Sequence, residues 1–243
     1  VIISYLWLFF YVVFMLFAFC VLPLYLLLRL ILPRKWNKWL IRCFGNFWGS
    51  VTVGSTFSRV SVTGKELLPE ADTICFVSNH QGLFDIPALI GYLPKPMGFI
   101  AKYELSRIPI LSQWMKAIHC VFIDRKNARK TVASFNQAAS IIKAGNPVVI
   151  FPEGTRSRSP QTGTFHAGSI KLALMAKAVI VPIAIDGSWL IYESRKRIRR
   201  ATIRIAILPP IMPDDPITRD SRNLTLHLQR VIMNRLSQIR TNH

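Results

Sequence analysis

The chain has 243 residues, enough for one large domain or two small ones. Hydrophobic residues make up 51% of it, which excludes a disordered chain, and the formal net charge of +19 calls for anions nearby: nucleic acid, an anionic membrane surface, or an acidic substrate or carrier. The four cysteines, Cys20, Cys43, Cys75 and Cys120, are widely spaced and form no CxxC pair, so neither a disulfide framework nor a zinc site is indicated.

Residues 1–32 carry one charge, Arg29. Val1 to Leu22 is an apolar run long enough to cross a hydrocarbon core, with Trp7, Phe9, Phe10 and Tyr11 nearer one end. Pro23 interrupts it, and Leu24 to Leu32 is apolar again except for Arg29. Arg34, Lys35, Lys38 and Arg42 follow, which by the positive-inside bias puts this end on the cytoplasmic face. Two membrane modes fit: a true span, or a helical hairpin that dips in and returns near Pro23. The pattern predicts a membrane-anchoring helical segment and linker over 1–57 and a separate domain over 58–243.

Beyond that boundary, short apolar runs alternate with longer helical patterns. Strands are predicted at Ser58–Thr63, Thr73–Asn79, Met97–Ala101, Cys120–Ile123, Pro147–Phe151, Ala178–Ile185 and Ala201–Leu208. Helices are predicted at Asp85–Leu93, at Glu104–Ile118 with a split or kink at Pro109, and at Ala128–Lys143, His166–Lys177 and Ser221–Ile239. Such alternation indicates βαβ crossovers: an α/β fold with a mainly parallel sheet flanked by helices, behind an N-terminal membrane-embedded segment.

Parallel sheets bind ligands beyond the carboxyl ends of their strands. Three polar clusters fall at such ends. The first is Asn79-His80-Gln81-Gly82-Leu83-Phe84-Asp85. Two readings of it stand level: Asp85 caps the next helix while His80 is an ordinary turn residue, or Asp85 orients His80 as a general base. The second is Phe151-Pro152-Glu153-Gly154-Thr155-Arg156, in which Glu153 can accept from hydroxyls, Arg156 can fork onto phosphate, and Gly154 offers close approach and an amide for an oxyanion. The third is Val121-Phe122-Ile123-Asp124-Arg125, and Lys102 follows a strand in the same way. Three cations near three strand ends make an anion site. No G-x-G-x-x-G or Walker loop is present, so a nucleotide cofactor is not indicated.

The first block resembles the His-four-residues-Asp motif of the glycerolipid acyltransferases, and the chain looks most like their bacterial 1-acyl-sn-glycerol-3-phosphate members. Val121–Arg125, Phe151–Arg156 and Val181-Pro182-Ile183 resemble that family's second, third and fourth blocks, in family order. His119-Cys120 departs from the pattern where a glycine is frequent.

The resemblance implies a base, His80, oriented by Asp85. It would deprotonate the sn-2 hydroxyl of lysophosphatidic acid, which attacks the thioester of acyl-CoA or acyl carrier protein to give phosphatidic acid. Arg125 and Arg156 would meet the substrate phosphate, with Lys102 a further candidate, and Glu153 the glycerol. No cofactor, metal or nucleic acid is implied. Membrane lipids are the expected partners, at the cytoplasmic face of the inner or plasma membrane. Acylation of glycerol-3-phosphate or of another lysophospholipid is the alternative. Ester hydrolysis fits worse, since no G-x-S-x-G elbow is present. A non-enzymatic lipid binder would leave His80, Asp85 and Glu153 unexplained.

Overall fold

Strands that are apolar on both sides need cover on both faces, and the chain supplies it. The computed structural model describes residues 2–124 and 127–241. Seven strands among these residues form one sheet: β1 (Arg59–Thr63), β2 (Ile74–Ser78), β3 (Gly98–Lys102), β4 (Val121–Ile123), β5 (Val148–Ile150), β6 (Val179–Asp186) and β7 (Thr202–Ile207). Their order is β1-β7-β6-β2-β5-β3-β4. Every pairing is parallel except β6 with β7. The mainly parallel α/β architecture is the one the alternating pattern predicts.

The helices are α1 (Ile2–Ile31), α2 (Arg34–Gly54), α3 (Asp85–Tyr92), α4 (Leu111–Ala117), α5 (Ala128–Lys143), α6 (Ala167–Ala176) and α7 (Ser221–Thr241). Side chains alternate along each strand, so β2 serves two cores. Cys75 and Val77 pack with Ala139 and Ile142 of α5, Leu172 of α6 and Leu228 of α7. Ile74 and Phe76 pack on the opposite side with Val53 of α2 and Leu89 of α3. Burial of Cys75 drives its thiol far up, and burial pushes the Cys120 thiol up to about 12, so both behave as small apolar groups.

The linker expected before residue 57 is instead α2, and it belongs to the α/β layers. Gly49 explains how. A Cβ added there would lie 2.4 Å from Pro87 O and 2.5 Å from Gly91 N, so the backbones of α2 and α3 touch. A side chain on either glycine would force the two helices apart.

Of the two membrane modes, the hairpin returning near Pro23 is not seen. α1 runs unbroken through Pro23, and the chain reverses at Leu32–Pro33. Packing offsets the missing amide bond: Leu22 and Tyr25 are buried, and the Tyr25 ring stacks 5.5 Å from Trp114 of α4. Pro109 splits the next helix as expected, into a 3-10 turn at Tyr103–Arg107 and α4. His119 then adopts a left-handed φ of 63°. That is the conformation a glycine takes without strain, so a glycine would suit the position and the histidine there is held against local preference.

The central strand is β2, with β5 on one side and β6 on the other. The chain leaves β2 toward β3 on one side and returns from β5 to β6 across it. That reversal opens a crevice at the carboxyl end of β2, where residue 79 begins the first cluster.

Candidate active site

The turn after β2 is held from below by a buried carboxylate. Asp85 is fully buried at the first position of α3, where the helix dipole favours a negative charge. Its Oδ2 accepts from the backbone N–H of Gln81 at 2.7 Å and of Gly82 at 2.9 Å. The same oxygen lies 2.7 Å from Nδ1 of His80. Oδ1 accepts a short hydrogen bond from the Ser188 hydroxyl. The capping reading does not hold, since Phe84 is the N-cap of α3 and no side chain caps it; the carboxylate instead ties the preceding turn and faces the histidine.

That geometry fixes the imidazole. Nδ1 donates to Asp85, which leaves Nε2 as the acceptor. The ring stacks on Phe151 with centroids 4.0 Å apart and planes 14° from parallel. The side chain is 15% exposed, open only toward the cavity it lines.

Neighbouring strand ends lock the turn. The Asn79 side chain bonds Ile185 in both directions, donating to its O at 2.9 Å and accepting from its N at 2.8 Å. Gln81 Oε1 accepts from Gly187 N at 2.9 Å. From the other side, Ser157 N donates to His80 O at 2.8 Å and Arg158 N to Gln81 O at 3.0 Å. The first and third sequence blocks are thereby joined through the backbone.

Glu153 belongs to that joint. It is 5% exposed; Oε1 accepts from His80 N at 2.7 Å and Oε2 from Gly163 N at 2.7 Å. Burial raises its carboxyl above the usual range, while the two amides pull it back. In this placement the carboxylate braces the histidine loop. Gly154 departs from its sequence reading. Its N–H donates to Phe151 O at 3.0 Å, closing a turn at φ 69°, so that N–H is not aimed at an oxyanion.

The cations are distributed around one cavity of about 1500 Å³. Arg156 and Lys102 both line it with His80, and Lys102 is exposed as the last residue of β3. Arg156 Nη1 donates to Glu193 Oε1 at 3.2 Å. Arg125 lies outside the described residues. Arg158, Glu104 and His166 line it too, but most of the wall is apolar and aromatic, with Trp7 and Phe14 from α1, Phe44 and Trp48 from α2, and Trp114 from α4. Such a space suits a ligand with one charged end and a long hydrocarbon body.

Ser188 and Glu193 were not singled out in the sequence. Both follow β6, 103 and 110 residues from the groups they bond, Asp85 and Leu83. The only local signal was the end of an eight-residue buried strand, since the stretch between Ser188 and Glu193 is itself apolar.

Residues 59–186, over half of the chain, match the family described as Acyltransferase. The chain belongs to the acyltransferase family. Family relatives include a probable 1-acyl-sn-glycerol-3-phosphate acyltransferase of Mycoplasma pneumoniae, 37% identical over 74% of this chain and 72% of that protein. The chloroplastic 1-acyl-sn-glycerol-3-phosphate acyltransferase LPAT1 of Arabidopsis thaliana is 30% identical over 73% of this chain but only 49% of its own length. Among solved structures, the family's 1-acyl-sn-glycerophosphate (LPA) acyltransferase PlsC from Thermotoga maritima aligns with a TM-score of 0.84 and 25% identity, covering 98% of this chain and 95% of that one.

His80→Ala is expected to lower the transfer rate by a factor of about 10²–10⁴ while still folding, with a lowered unfolding temperature because the buried Asp85 loses one of its donors. Asp85→Asn should fold, because its amide oxygen can take the turn's N–H groups and its NH₂ can face Ser188, yet it should lose rate with the charge. Rate assays beside thermal unfolding check both; full activity in either variant contradicts the assignment.

Proposed function

We propose that this chain transfers a fatty acyl group from a thioester, acyl-CoA or acyl carrier protein, to the sn-2 hydroxyl of 1-acyl-sn-glycerol-3-phosphate, giving phosphatidic acid. The observation that carries the reading is the His80–Asp85 pair opening onto an apolar cavity that also presents Arg156. The activities for which the relatives are named support it.

In the proposed reaction, Nε2 of His80 takes the hydroxyl proton while Asp85 stabilises the imidazolium. The hydroxyl oxygen bonds to the thioester carbon, and the carbonyl electrons move to oxygen. Collapse breaks the carbon–sulfur bond, and the imidazolium returns the proton to the thiolate. No acyl-enzyme forms, and no step calls for a cofactor or metal. Arg156, with Lys102 and Arg125, would meet the phosphate as charge-assisted donors. Glu153 would act through the backbone of His80 as a positioning residue. The apolar walls would take the hydrocarbon chains.

We also infer that α1 lies in one leaflet with its lipid-facing side exposed. Its hydropathy is that of a span, 2.5, yet it touches the rest of the protein along its length. Ser4 Oγ accepts from Ile198 N at 3.0 Å, Trp7 Nε1 donates to Ser55 at 2.9 Å, and Trp114 Nε1 donates to Ala18 O at 3.1 Å. A helix crossing alone would leave the protein at one end. Cations stand near both ends: the 195–200 cluster beside Ser4, and Arg29, Arg34 and Lys35 at the other. That charge distribution supports a mode in which both ends would sit on the cytoplasmic face.

Two measurements follow. Arg156→Ala should weaken use of 1-acyl-sn-glycerol-3-phosphate by the loss of a contact worth about 1.5–3 kcal/mol, and leave transfer to phosphate-free monoacylglycerol unchanged. Equal loss on both acceptors, or preference of the parent for glycerol-3-phosphate in the same panel, contradicts the reading. For the membrane mode, Ile3→Cys and Ile31→Cys, in a background with Cys20 and Cys43 replaced by Ser, should both react with an impermeant maleimide from the protein's side of sealed vesicles. Protection of one end alone would show a span.

A further inference from the structure

Glu193 is a buried anion beside the catalytic turn. It follows β6, and its side chain is 2% exposed. Oε1 accepts from Leu83 N at 2.7 Å and from Arg156 Nη1 at 3.2 Å. Oε2 is buried with no hydrogen-bond partner among the described residues. It presses on the turn itself: a Cβ on Gly82 would lie 2.7 Å from it. A buried carboxylate is costly unless paired, and the cation it pairs with is Arg156. The pair is lopsided. The anion is sealed in, while the arginine is 30% exposed and lines the cavity.

A guanidinium has donors on several edges of one plane. Holding one edge on a fixed carboxylate orients the plane and leaves other edges for a second anion. It also removes motion that a long side chain would otherwise lose on binding. The carboxylate is anchored in turn by the amide of Leu83, three residues from His80.

We infer that Glu193 is a positioning residue for the acceptor's phosphate: it fixes Arg156 at the cavity wall and sets the phosphate at a constant distance from the turn that carries His80. This rests on the reading of Arg156 as a phosphate ligand. If Glu193 served only to tie down Leu83 N–H, its charge would not matter, because a glutamine oxygen accepts that bond equally well. The charge matters only through Arg156.

The experiment is a double-mutant cycle on KM and kcat, with thermal unfolding recorded for every variant. Glu193→Gln should raise KM for 1-acyl-sn-glycerol-3-phosphate about tenfold, the factor that about 1.4 kcal/mol represents. Its kcat should stay within about twofold, since the acceptor binds less well but reacts from the same turn. Transfer to monoacylglycerol should not change. In an Arg156→Ala background, Glu193→Gln should add nothing. Should Glu193→Gln unfold under assay conditions, Glu193→Asp carries the same comparison, with a carboxylate one methylene short and a KM between parent and Arg156→Ala. Failure has separate signatures. Equal damage by Arg156→Ala on both acceptors overturns the phosphate reading of Arg156. A selective Arg156→Ala combined with an unchanged or lowered KM in Glu193→Gln, or with effects that multiply in the double variant, overturns the role of Glu193.

Discussion

The site depends on one buried carboxylate. Asp85 receives two backbone amides, one hydroxyl and one imidazole, and these four bonds leave no part of it turned to water. A carboxylate without solvent is tolerable only when such donors replace its hydration. The requirement works in both directions. The amides of Gln81 and Gly82 have no other way to be satisfied in so tight a turn, and the imidazole has no other group to fix its tautomer. Charge, turn and ring orientation are therefore one structural unit.

Around that unit the protein builds in layers of decreasing burial. Asn79 and Gln81 clip the turn to the end of β6, and Glu153 clips it to the loop after β5. Phe151 sets the ring plane. Outside these lie Arg156 and Lys102, and then the aromatic walls contributed by α1, α2 and α4. The candidate membrane helix α1 thus also walls the cavity that His80 lines. A hydrocarbon chain in the cavity and one in the bilayer meet the same kind of surface, so an amphiphilic substrate need not be carried through water to reach His80.

Much of this was legible in the sequence, and for definable reasons. Buried strands such as Thr73–Asn79 announced themselves as apolar runs, and α5 by its helical spacing. His80, Asp85, Glu153 and Arg156 stood out because three polar clusters fall at equivalent strand ends and resemble one family's blocks in order. Contacts made at long range were not legible. Nothing in the order of residues says that Ser188 reaches Asp85, or that Glu193 reaches both Leu83 and Arg156. α2 was not legible because its docking rests on a long-range contact: Gly49 marks the point where the backbones of α2 and α3 touch. The unbroken course of α1 through Pro23 was hidden for a similar reason: tertiary packing of Tyr25 on Trp114 overrides a local preference. The glycine block, Gly154, was read as an oxyanion donor from its position alone, and its use in closing a turn shows only in three dimensions.

The account stands on the tautomer of His80, because the proposed general base requires Nε2 to be the unprotonated nitrogen. Nitrogen-15 NMR of protein labelled in the histidine rings reads this directly, with His80→Gln used to assign the signal. In the neutral ring the account predicts a protonated Nδ1 bonded to Asp85 and an unprotonated Nε2. A neutral His80 carrying its proton on Nε2 would contradict it, since no base would then face the cavity.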